Sequence, residues 1–396
     1  MWRLLCVIVL GCGGGAGGGS DGGSDGSSSG DGGAEACPGW ANGQPAGSTA
    51  NALDVTSSGS LLVVGTTDLE FAGDRVMTHL GSDGVRDPAF GMAGVRTDPL
   101  ASGADEWLTV TPRSGGGWIV AGKGADVMTP TSSWDGIVEA FTPTGQPDPG
   151  FCNGRLLFGS EGTEIVVAVR EIAGDLIVVM HEGASATVRR YGSGCTLETD
   201  YAGTGVATIP LAYSAAAIGE DGGVFVAGID VVTNSVRVHR LGPDGTHLAS
   251  FGTAGVVELE GDKQWGTRLT IDHSFGGGVL VGINQVFGKV FRVSATGILD
   301  TAATSAMRRV MNDAFIVVYS VHALADGGLI ASGTSYENGD GRVVRFDAEG
   351  NVVTSFGTGG IYEDGPGSFT TATFATPRLF LGGSSGGEAM LRCMQL

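Results

Sequence analysis

The sequence is poor in basic and aromatic residues. Among 396 residues there are 22 Lys and Arg against 42 Asp and Glu, giving a formal net charge of −20, and only 7% are aromatic. Phosphate backbones and anionic lipid head groups attract Lys and Arg, so this charge argues against a nucleic-acid partner and against direct adhesion to a membrane surface.

Glycine is abundant instead. The chain has 72 Gly without a G-X-Y period, which excludes collagen and indicates many tight turns between strands. An apolar fraction of 42% is enough for a large buried core, although one single compact core is not expected at this length.

The amino terminus has the pattern of an export signal. One positive charge in Met1–Arg3 precedes an apolar run at residues 4–10, which is far shorter than the ~20 residues of a membrane-spanning helix. The segment Val9–Cys12 resembles a bacterial lipobox. This resemblance implies removal of residues 1–11, acylation of Cys12 and, because Gly13 is not Asp, sorting to the outer membrane. An ordinary cleaved signal peptide that ends within the glycines is the alternative.

Residues 12–36 are predicted to be a tether that follows the lipid. They are almost entirely Gly, Ser, Asp, Ala and Glu, which bury too little apolar surface to offset the ordering entropy. A flexible chain of this length reaches about 27 Å. The Asp-Gly clusters lack both EF-hand spacing and the large apolar residues of calcium-binding β-rolls, so no calcium site is predicted here.

Residues 37–396 repeat. A short aliphatic run that ends at Gly recurs about every 53 residues, and a seventh copy has Met180 in place of Gly. The glycines that end the runs are Gly65, Gly122, Gly228, Gly282, Gly333 and Gly383.

Each repeat is predicted to form four antiparallel strands. An apolar strand and a Gly-rich turn precede the aliphatic run, and an alternating strand such as Arg342–Phe346 follows it. An Asp-x-x-Gly turn such as Asp347–Gly350 leads to an aromatic-Gly step such as Phe356–Gly360 and a short last strand. Four strands per ~50 residues is the content of one propeller blade. We therefore predict an all-β, seven-bladed β-propeller, with an open solenoid as the alternative.

The two ends of the repeat region favour the closed ring. The last unit stops at Leu396 without an aromatic-Gly step, while Pro38–Gly43 closely matches Pro149–Gly154. We predict that the N-terminal strand completes the last blade, which buries two strand edges.

The repeat resembles the delta-60 repeat family of bacterial secreted and surface propellers. The clearest copies join Asp221–Val224 with Phe251–Gly255, and Asp326–Leu329 with Phe356–Gly360. The resemblance implies a propeller in an extracytoplasmic setting and brings no shared catalytic residues. The fifth unit has no Phe-Gly step after Asp300, which puts its outer strand in doubt.

Four cysteines remain after the signal peptide and the lipidated Cys12, and they allow three pairings. The predicted ring closure places Cys37 and Cys393 on neighbouring strands, so we predict this bond, and Cys152 with Cys195 by elimination. Free or partly paired thiols are the alternative. No Cys-x-x-Cys or Cys-His cluster indicates zinc.

The remaining motifs for catalysis or metal binding are weak. The histidines lack the spacing that brings two imidazoles to one metal; they are His79, His181, His239, His247, His273 and His322. Gly382–Gly386 matches the nucleophile-elbow string but is predicted to lie in a hairpin rather than between a strand and a helix.

One rim of the predicted ring collects carboxylates beside aromatic residues, a combination that suits sugars or cations such as Ca²⁺. The alternative role is packing between blades together with solubilising charge. The residues are Asp68, Glu70, Asp105, Glu106, Trp107, Trp134, Asp135, Asp262, Trp265, Tyr336, Glu337 and Asp340.

We therefore expect a binding or scaffolding module, anchored by lipid at the outer membrane or cell surface of a Gram-negative bacterium, with a protein or glycan ligand. Apart from Ca²⁺ at the rim, no cofactor is expected. The alternative is a lyase or hydrolase at the mouth of the central channel. This enzyme alternative requires that titratable residues near the inner turns converge on one pocket. These residues are Arg113, Arg170, His273 and His322.

Overall fold

The computed structural model describes residues 37, 47–67, 73–98, 105–125, 134–159, 162–260, 268–284, 288–314 and 316–396. Within these ranges the chain forms seven antiparallel sheets, each built from strands that are consecutive in sequence. Each sheet corresponds to one predicted repeat unit, which we call blades one to seven.

Blade one contains β1 (Thr49–Val55), β2 (Leu61–Thr66), β3 (Arg75–Leu80) and β4 (Val95–Asp98). Blade two contains β5 (Glu106–Pro112), β6 (Trp118–Ala125), β7 (Trp134–Phe141) and β8 (Arg155–Phe158). Blade three contains β9 (Glu164–Ile172), β10 (Asp175–Glu182), β11 (Ser185–Tyr191) and β12 (Val206–Ile209). Blade four contains β13 (Leu211–Ile218), β14 (Val224–Asp230), β15 (Val236–Leu241) and β16 (Val256–Glu260).

Blade five contains β17 (Arg268–Ser274), β18 (Gly278–Asn284) and β19 (Lys289–Val293), followed by the helix α1 (Thr301–Asp313). Blade six contains β20 (Ile316–Ala323), β21 (Leu329–Ser335), β22 (Asp340–Phe346) and β23 (Ile361–Pro366). Blade seven contains β24 (Ser368–Ala375), β25 (Arg378–Ser385) and β26 (Glu388–Gln395).

The first strand of every blade lies innermost, and these strands contact one another in sequence around the ring. The series closes on itself, because β1 contacts β24 and the Thr370 hydroxyl donates a hydrogen bond of 2.6 Å to the Ala50 carbonyl. This closure confirms the seven-bladed propeller and excludes the open solenoid.

The repeated glycine has a steric cause. In most blades the register between the first two strands shifts near this glycine, as between Val318 and Ser320 opposite Gly333. A Cβ on Gly333 would lie 1.8 Å from the Val317 carbonyl oxygen, and one on Gly383 would lie 1.8 Å from that of Ser368. The irregular inner strand therefore crowds its neighbour and leaves no room for a side chain at Gly333 or Gly383.

The aromatic-Gly step joins each blade to the next. Phe90, Tyr201 and Phe251 are buried, with relative exposures of 0 to 3%. A Cβ on Gly145 would lie 2.9 Å from the Phe90 ring, and one on Gly245 would lie 2.7 Å from the Tyr201 ring. The turn glycine of one blade thus makes room for the aromatic side chain of the preceding blade.

The arginine of the alternating strand also crosses between blades. Arg190 donates to the Pro243 carbonyl at 3.1 Å, Arg240 donates to the Ala295 carbonyl at 2.7 Å, and Arg292 donates to the carbonyl of Ala348. The residues that define the repeat are therefore used to assemble the ring. A function specific to this chain is therefore expected at residues outside the repeat pattern.

Blade five departs from the pattern, as the missing Phe-Gly step indicated. Its sheet has three strands, and α1 follows in place of an outer strand. Asp300 caps the helix by accepting a hydrogen bond of 3.0 Å from the Ala303 amide. Ala303, Met307 and Met311 are buried and pack against blade six. These residues recur every four positions, which is a helical spacing that the prediction of four strands per repeat did not take into account.

Both predicted disulfides are present. Cys37–Cys393 has Cα atoms 5.5 Å apart, and Cys152–Cys195 has Cα atoms 5.2 Å apart. The Cys37 amide also donates to the Cys393 carbonyl at 3.2 Å, and the Ala389 amide donates to the Gly47 carbonyl at 2.9 Å. Residues 38–46, which the prediction assigns to the outer strand of blade seven, lie outside the described residues. Completion of this blade by the N-terminal strand stays a prediction.

The signal peptide, Cys12 and the tether also lie outside the described residues. Among the residues that are described, no helix is long and apolar enough to cross a membrane.

Candidate functional site

The predicted rim residues that the structure describes share one side of the ring, but they do not meet at one point. One group lies at the starts of β5 and β7 in blade two, and the other lies between β21 and β22 in blade six. Blades one and seven separate the two groups along the shorter path. Asp68, Glu70, Asp262 and Trp265 lie outside the described residues.

Two rim residues belong to the core, which corrects the prediction for them. Asp105 and Trp107 are both 0% exposed. The Arg75 guanidinium, itself 2% exposed, lies 4.1 Å from the centre of the Trp107 ring and 3.9 Å from Glu139. Burial lowers the pKa of Arg75, while the charges of Glu139 and Asp105 raise it. These residues join blades one and two and are not available to a ligand.

The other rim residues are accessible. In blade two, the Lys123 ammonium lies 4.2 Å from the centre of the Trp134 ring and 3.6 Å from Glu106. Asp135 is partly buried beside Trp134. In blade six, Tyr336 is 61% exposed and is followed by the exposed Glu337 and the partly buried Asp340. In the described part of the chain, no three His, Cys, Asp or Glu side chains are grouped to hold a metal ion.

A different set of charged residues converges at the other end of the channel. Asp54, Arg170, Asp272, His273 and His322 all lie within the last three residues of an innermost strand. We call these five residues the channel cluster. The charges of Arg170 and His322 lower the pKa of Asp54, and His322 lies 3.4 Å from Asp272. Blades one, three, five and six thus contribute titratable side chains to one end of the channel.

The sequence identified part of this cluster. Arg170, His273 and His322 are among the four residues near the inner turns, whereas Arg113 pairs instead with Asp148 at 2.7 Å and Glu171 at 3.4 Å. Asp54 and Asp272 were missed. Their signal is a carboxylate near the end of an innermost strand, paired with Leu62 in blade one and with Leu280 in blade five.

His322 lies between a hydroxyl and a carboxylate. Its Nε2 atom is 3.0 Å from the Ser320 Oγ, and its Nδ1 atom is 3.4 Å from the Asp272 Oδ2. Asp272 is held in place by the amides of His273 at 2.8 Å and Ala323 at 3.0 Å. The imidazole orientation is therefore fixed from both sides.

One carboxylate oxygen of Asp54 accepts no hydrogen bond from a described residue. Its Oδ1 atom accepts from the Val55 amide at 2.7 Å and from the Thr373 hydroxyl at 3.5 Å, and no described residue donates to Oδ2. Burial in the channel raises the pKa of Asp54 to about 6, against smaller lowering effects that include the charges of Arg170 and His322. The carboxylate is thus incompletely compensated by the protein.

Arg170 is also incompletely satisfied. It donates to the Ile218 carbonyl at 2.9 Å, and its other contact is with Glu220 at 3.4 Å. The Glu220 side chain is 91% exposed, so this ion pair is weak. Among the described residues, the channel end therefore presents a carboxylate and a guanidinium with no ion pair between them.

Replacement of Asp54 tests the environment of the cluster. Since burial raises the pKa of Asp54 to about 6, against an ordinary value of 3.8, the folded state binds more protons than the unfolded chain between these pH values. The contribution of Asp54 to the free energy of unfolding should therefore fall as pH rises from about 4 to about 6. We expect Asp54→Asn to remove this slope and to be more stable at pH 7.5 by up to about 3 kcal/mol.

Asp244→Asn is the matched control with the opposite sign. Asp244 accepts from the amide and hydroxyl of Thr246, which lowers its pKa, so its stabilising effect is present above the ordinary Asp pKa and is lost in acid. Urea unfolding at pH 4 and pH 7.5 checks both variants. Equal stability of Asp54→Asn and the unmodified protein at pH 7.5 would contradict this description of Asp54.

Comparisons with known proteins support the fold. No protein-family model matches the chain, and no curated protein matches it in sequence. Its structure is similar to that of BBS1N in complex with ARL6DN, with 11% identity, 90% of this chain and 96% of that chain covered, and a TM-score of 0.51. Sqt1 of Chaetomium thermophilum has 14% identity, with 89% and 98% covered and a TM-score of 0.48.

A protein of unknown function from Bacteroides caccae has 14% identity, with 77% of this chain and 98% of that chain covered and a TM-score of 0.43. At these identities the likeness shows the fold alone. The chain is a seven-bladed β-propeller, and this fold fits a binding or scaffolding module.

Proposed function

We propose that this chain is a lipid-anchored, extracytoplasmic binding module that holds a small polar ligand at the channel cluster. The observation that supports it most is that Asp54 and Arg170 keep unused hydrogen-bonding capacity at the same channel end, while the repeat residues are used between blades. Small-molecule sites combine a concave surface with a few convergent polar groups.

A panel of amino acids, sugars, polyamines and dicarboxylates tests the site. We expect at least one class to raise the thermal unfolding temperature of the protein, and the combined variant Asp54→Asn with Arg170→Gln to lose this effect. Arg113→Gln is the control that should retain it, because the Arg113 guanidinium is already paired with Asp148 and Glu171. Stabilisation that survives loss of the channel residues, or no stabilisation by any class, would refute the ligand site at the channel cluster.

The anchor is a separate part of the proposal. The lipobox-like Val9–Cys12 supports it, and two disulfides suit an oxidising compartment. Cells that express the chain and are fed an alkyne-labelled fatty acid should label the protein, and Cys12→Ser should abolish the label. A labelled Cys12→Ser protein would contradict acylation at this residue.

A protein or glycan partner at the opposite rim belongs to the same proposal. The exposed Tyr336 and the accessible Trp134 support it, since aromatic side chains beside carboxylates suit sugars and protein loops. The BBS1N structure was solved with ARL6DN, so that propeller binds a protein partner.

Hydrolysis is the second candidate, and one observation favours it. Ser320, His322 and Asp272 have the order of atoms in which a serine attacks a carbonyl, its proton passes to Nε2 and the carboxylate holds Nδ1. Ser320 is only 5% exposed, which places this candidate after binding. A fluorophosphonate probe should label the protein but not Ser320→Ala. Absence of labelling would rule out a serine hydrolase.

A further inference from the structure

The interface between blades two and three departs from the pattern that joins other blades. At three other interfaces, the amide after the buried aromatic residue donates to the carbonyl that precedes the turn glycine of the next blade, at 2.7 to 3.0 Å. These donors and acceptors are Gly91 with Thr144, Ala202 with Asp244, and Gly252 with Thr296. In the described part of the chain, no such hydrogen bond joins the Cys152 amide to the Gly194 carbonyl, and the Cys152–Cys195 disulfide spans this position instead.

A second contact between blades is also missing at this interface. The alternating strands of blades three and four each send an arginine to a turn carbonyl of the next blade, whereas the equivalent residue of blade two is Ala140. A methyl side chain cannot reach the Ser193 carbonyl, which corresponds to the acceptors in the other blades. A cavity of about 60 Å³ lies here, lined in part by Phe151, Ser193 and Cys195.

The two cysteines take positions that the repeat gives mainly to glycine. Both have a left-handed backbone, with φ of 49° at Cys152 and 57° at Cys195. The turns of five other blades have glycine where blade three has Cys195, and glycine adopts this conformation at no steric cost. These glycines are Gly84, Gly145, Gly245, Gly297 and Gly350. The disulfide is therefore a feature of this one interface and not of the repeat.

The two disulfides of the chain differ in their accessibility. Cys37 and Cys393 are 4% and 3% exposed, whereas Cys152 and Cys195 are partly exposed on the outer turns. Disulfide exchange needs direct access of a thiolate to one of the sulfur atoms. A reductant can therefore reach Cys152–Cys195 in the folded protein, while Cys37–Cys393 requires the structure to open first.

We propose that Cys152–Cys195 is a site of reversible thiol–disulfide exchange, and that its reduction opens the outer part of the interface between blades two and three without unfolding the ring. The co-reactant is a dithiol. One of its thiolates attacks the Cys195 sulfur and displaces the Cys152 thiolate, and its second thiolate then displaces Cys195 and closes the disulfide of the reagent. The dithiol loses two electrons and two protons, and the two cysteines gain them. This inference does not depend on the ligand of the channel cluster.

Timed reduction of the folded protein tests the inference. The probe is dithiothreitol, followed by alkylation of free thiols and mass spectrometry of the peptides. We expect Cys152 and Cys195 to become alkylated at least about tenfold faster than Cys37 and Cys393. Near-ultraviolet circular dichroism should stay unchanged, while hydrogen exchange should rise in peptides that cover residues 148–154 and 192–196 and not in β25. Removal of the reductant should restore the bond.

Cys152→Gly with Cys195→Gly is the matched control, because it gives this interface the glycines that the other blades have. We expect mild reduction to lower the unfolding temperature of the unmodified protein and to leave that of the control unchanged. An equal shift in the control would assign the effect to Cys37–Cys393 and overturn the inference. Reduction of both disulfides at the same rate, reduction that occurs only with loss of the circular dichroism signal, or no rise in hydrogen exchange would also overturn it.

Discussion

Loss of the Cys37–Cys393 bond should destabilise the propeller more than loss of the Cys152–Cys195 bond. The two bonds span 356 and 43 residues, and the loop-entropy model gives upper values of roughly 6 and 4 kcal/mol. The first bond connects the start of the described structure to β26, whereas the second connects outer turns of blades two and three. We therefore expect the double serine variant at 37 and 393 to lose more free energy of unfolding.

Thermal and urea unfolding without reductant measure the difference. The double serine variant at 152 and 195 is the matched control, since it also removes one disulfide and adds two hydroxyl groups. An equal or larger loss in this control would show that Cys37–Cys393 does not restrain the ring ends. Mass spectrometry of peptides from the unreduced protein should first confirm both pairings.

Gly333→Ala should be among the most damaging single substitutions in the chain. Its Cβ would lie 1.8 Å from the Val317 carbonyl oxygen and 2.9 Å from the carbonyl carbon. Both atoms belong to β20, which packs against the inner strands on either side and therefore has little freedom to move. Overpacking in a core costs about 1 to 3 kcal/mol and occasionally more. Because this clash is with backbone atoms, we expect Gly333→Ala to lower the free energy of unfolding by about 3 kcal/mol or more.

Gly115→Ala is the control for this substitution. Its Cβ would have no heavy atom within 4 Å, and the residue does not adopt the left-handed conformation. We expect its unfolding temperature to stay close to that of the unmodified protein, because the site has room and alanine lowers the entropy of the unfolded chain. If Gly333→Ala unfolds at the same temperature as Gly115→Ala, the steric account of the repeated glycine is wrong.

The features predictable from the sequence are those that every blade repeats. Gly333, Phe251 and Arg240 each make a contact between strands or blades that recurs around the ring. Residues of the same type therefore recur in the sequence at a regular interval. The disulfide pairs followed from the same periodicity, because it placed Cys37 and Cys393 in one blade.

The features that the sequence did not predict lie outside the repeat pattern. Asp54 and Asp272 occupy equivalent positions in blades one and five, but blades two, four and six have Thr111, Ala217 and His322 there, so no period marks them. The contact of Asp272 with His322 joins strands of two different blades. Trp107 was assigned to a rim loop, but it lies in β5 and is buried. Its burial depends on Arg75 from the neighbouring blade, a contact that no local pattern encodes.

Completion of blade seven by the N-terminal segment is the central prediction, because it would give this blade a fourth strand and tie together the two ends of the ring. In blade two, the Asp148 amide donates to the Ala140 carbonyl, and Phe158 of β8 is paired with Gly136 of β7. When Trp40 is aligned with Phe151, the equivalent pairs in blade seven are Cys37 with Cys393 and Gly47 with Ala389. A hydrogen bond joins each of these two pairs. The same register would place Pro45 opposite Leu391. A proline has no amide proton for the Leu391 carbonyl, and Arg392 donates to that carbonyl at 3.1 Å.

Hydrogen exchange of the Leu391 amide, followed by NMR, tests this claim most directly. If the N-terminal segment pairs with β26, this amide should exchange as slowly as amides in the central strand β25, and deletion of residues 38–46 should expose it. Rapid exchange in the intact protein, at the rate of an unpaired edge strand, would contradict the account.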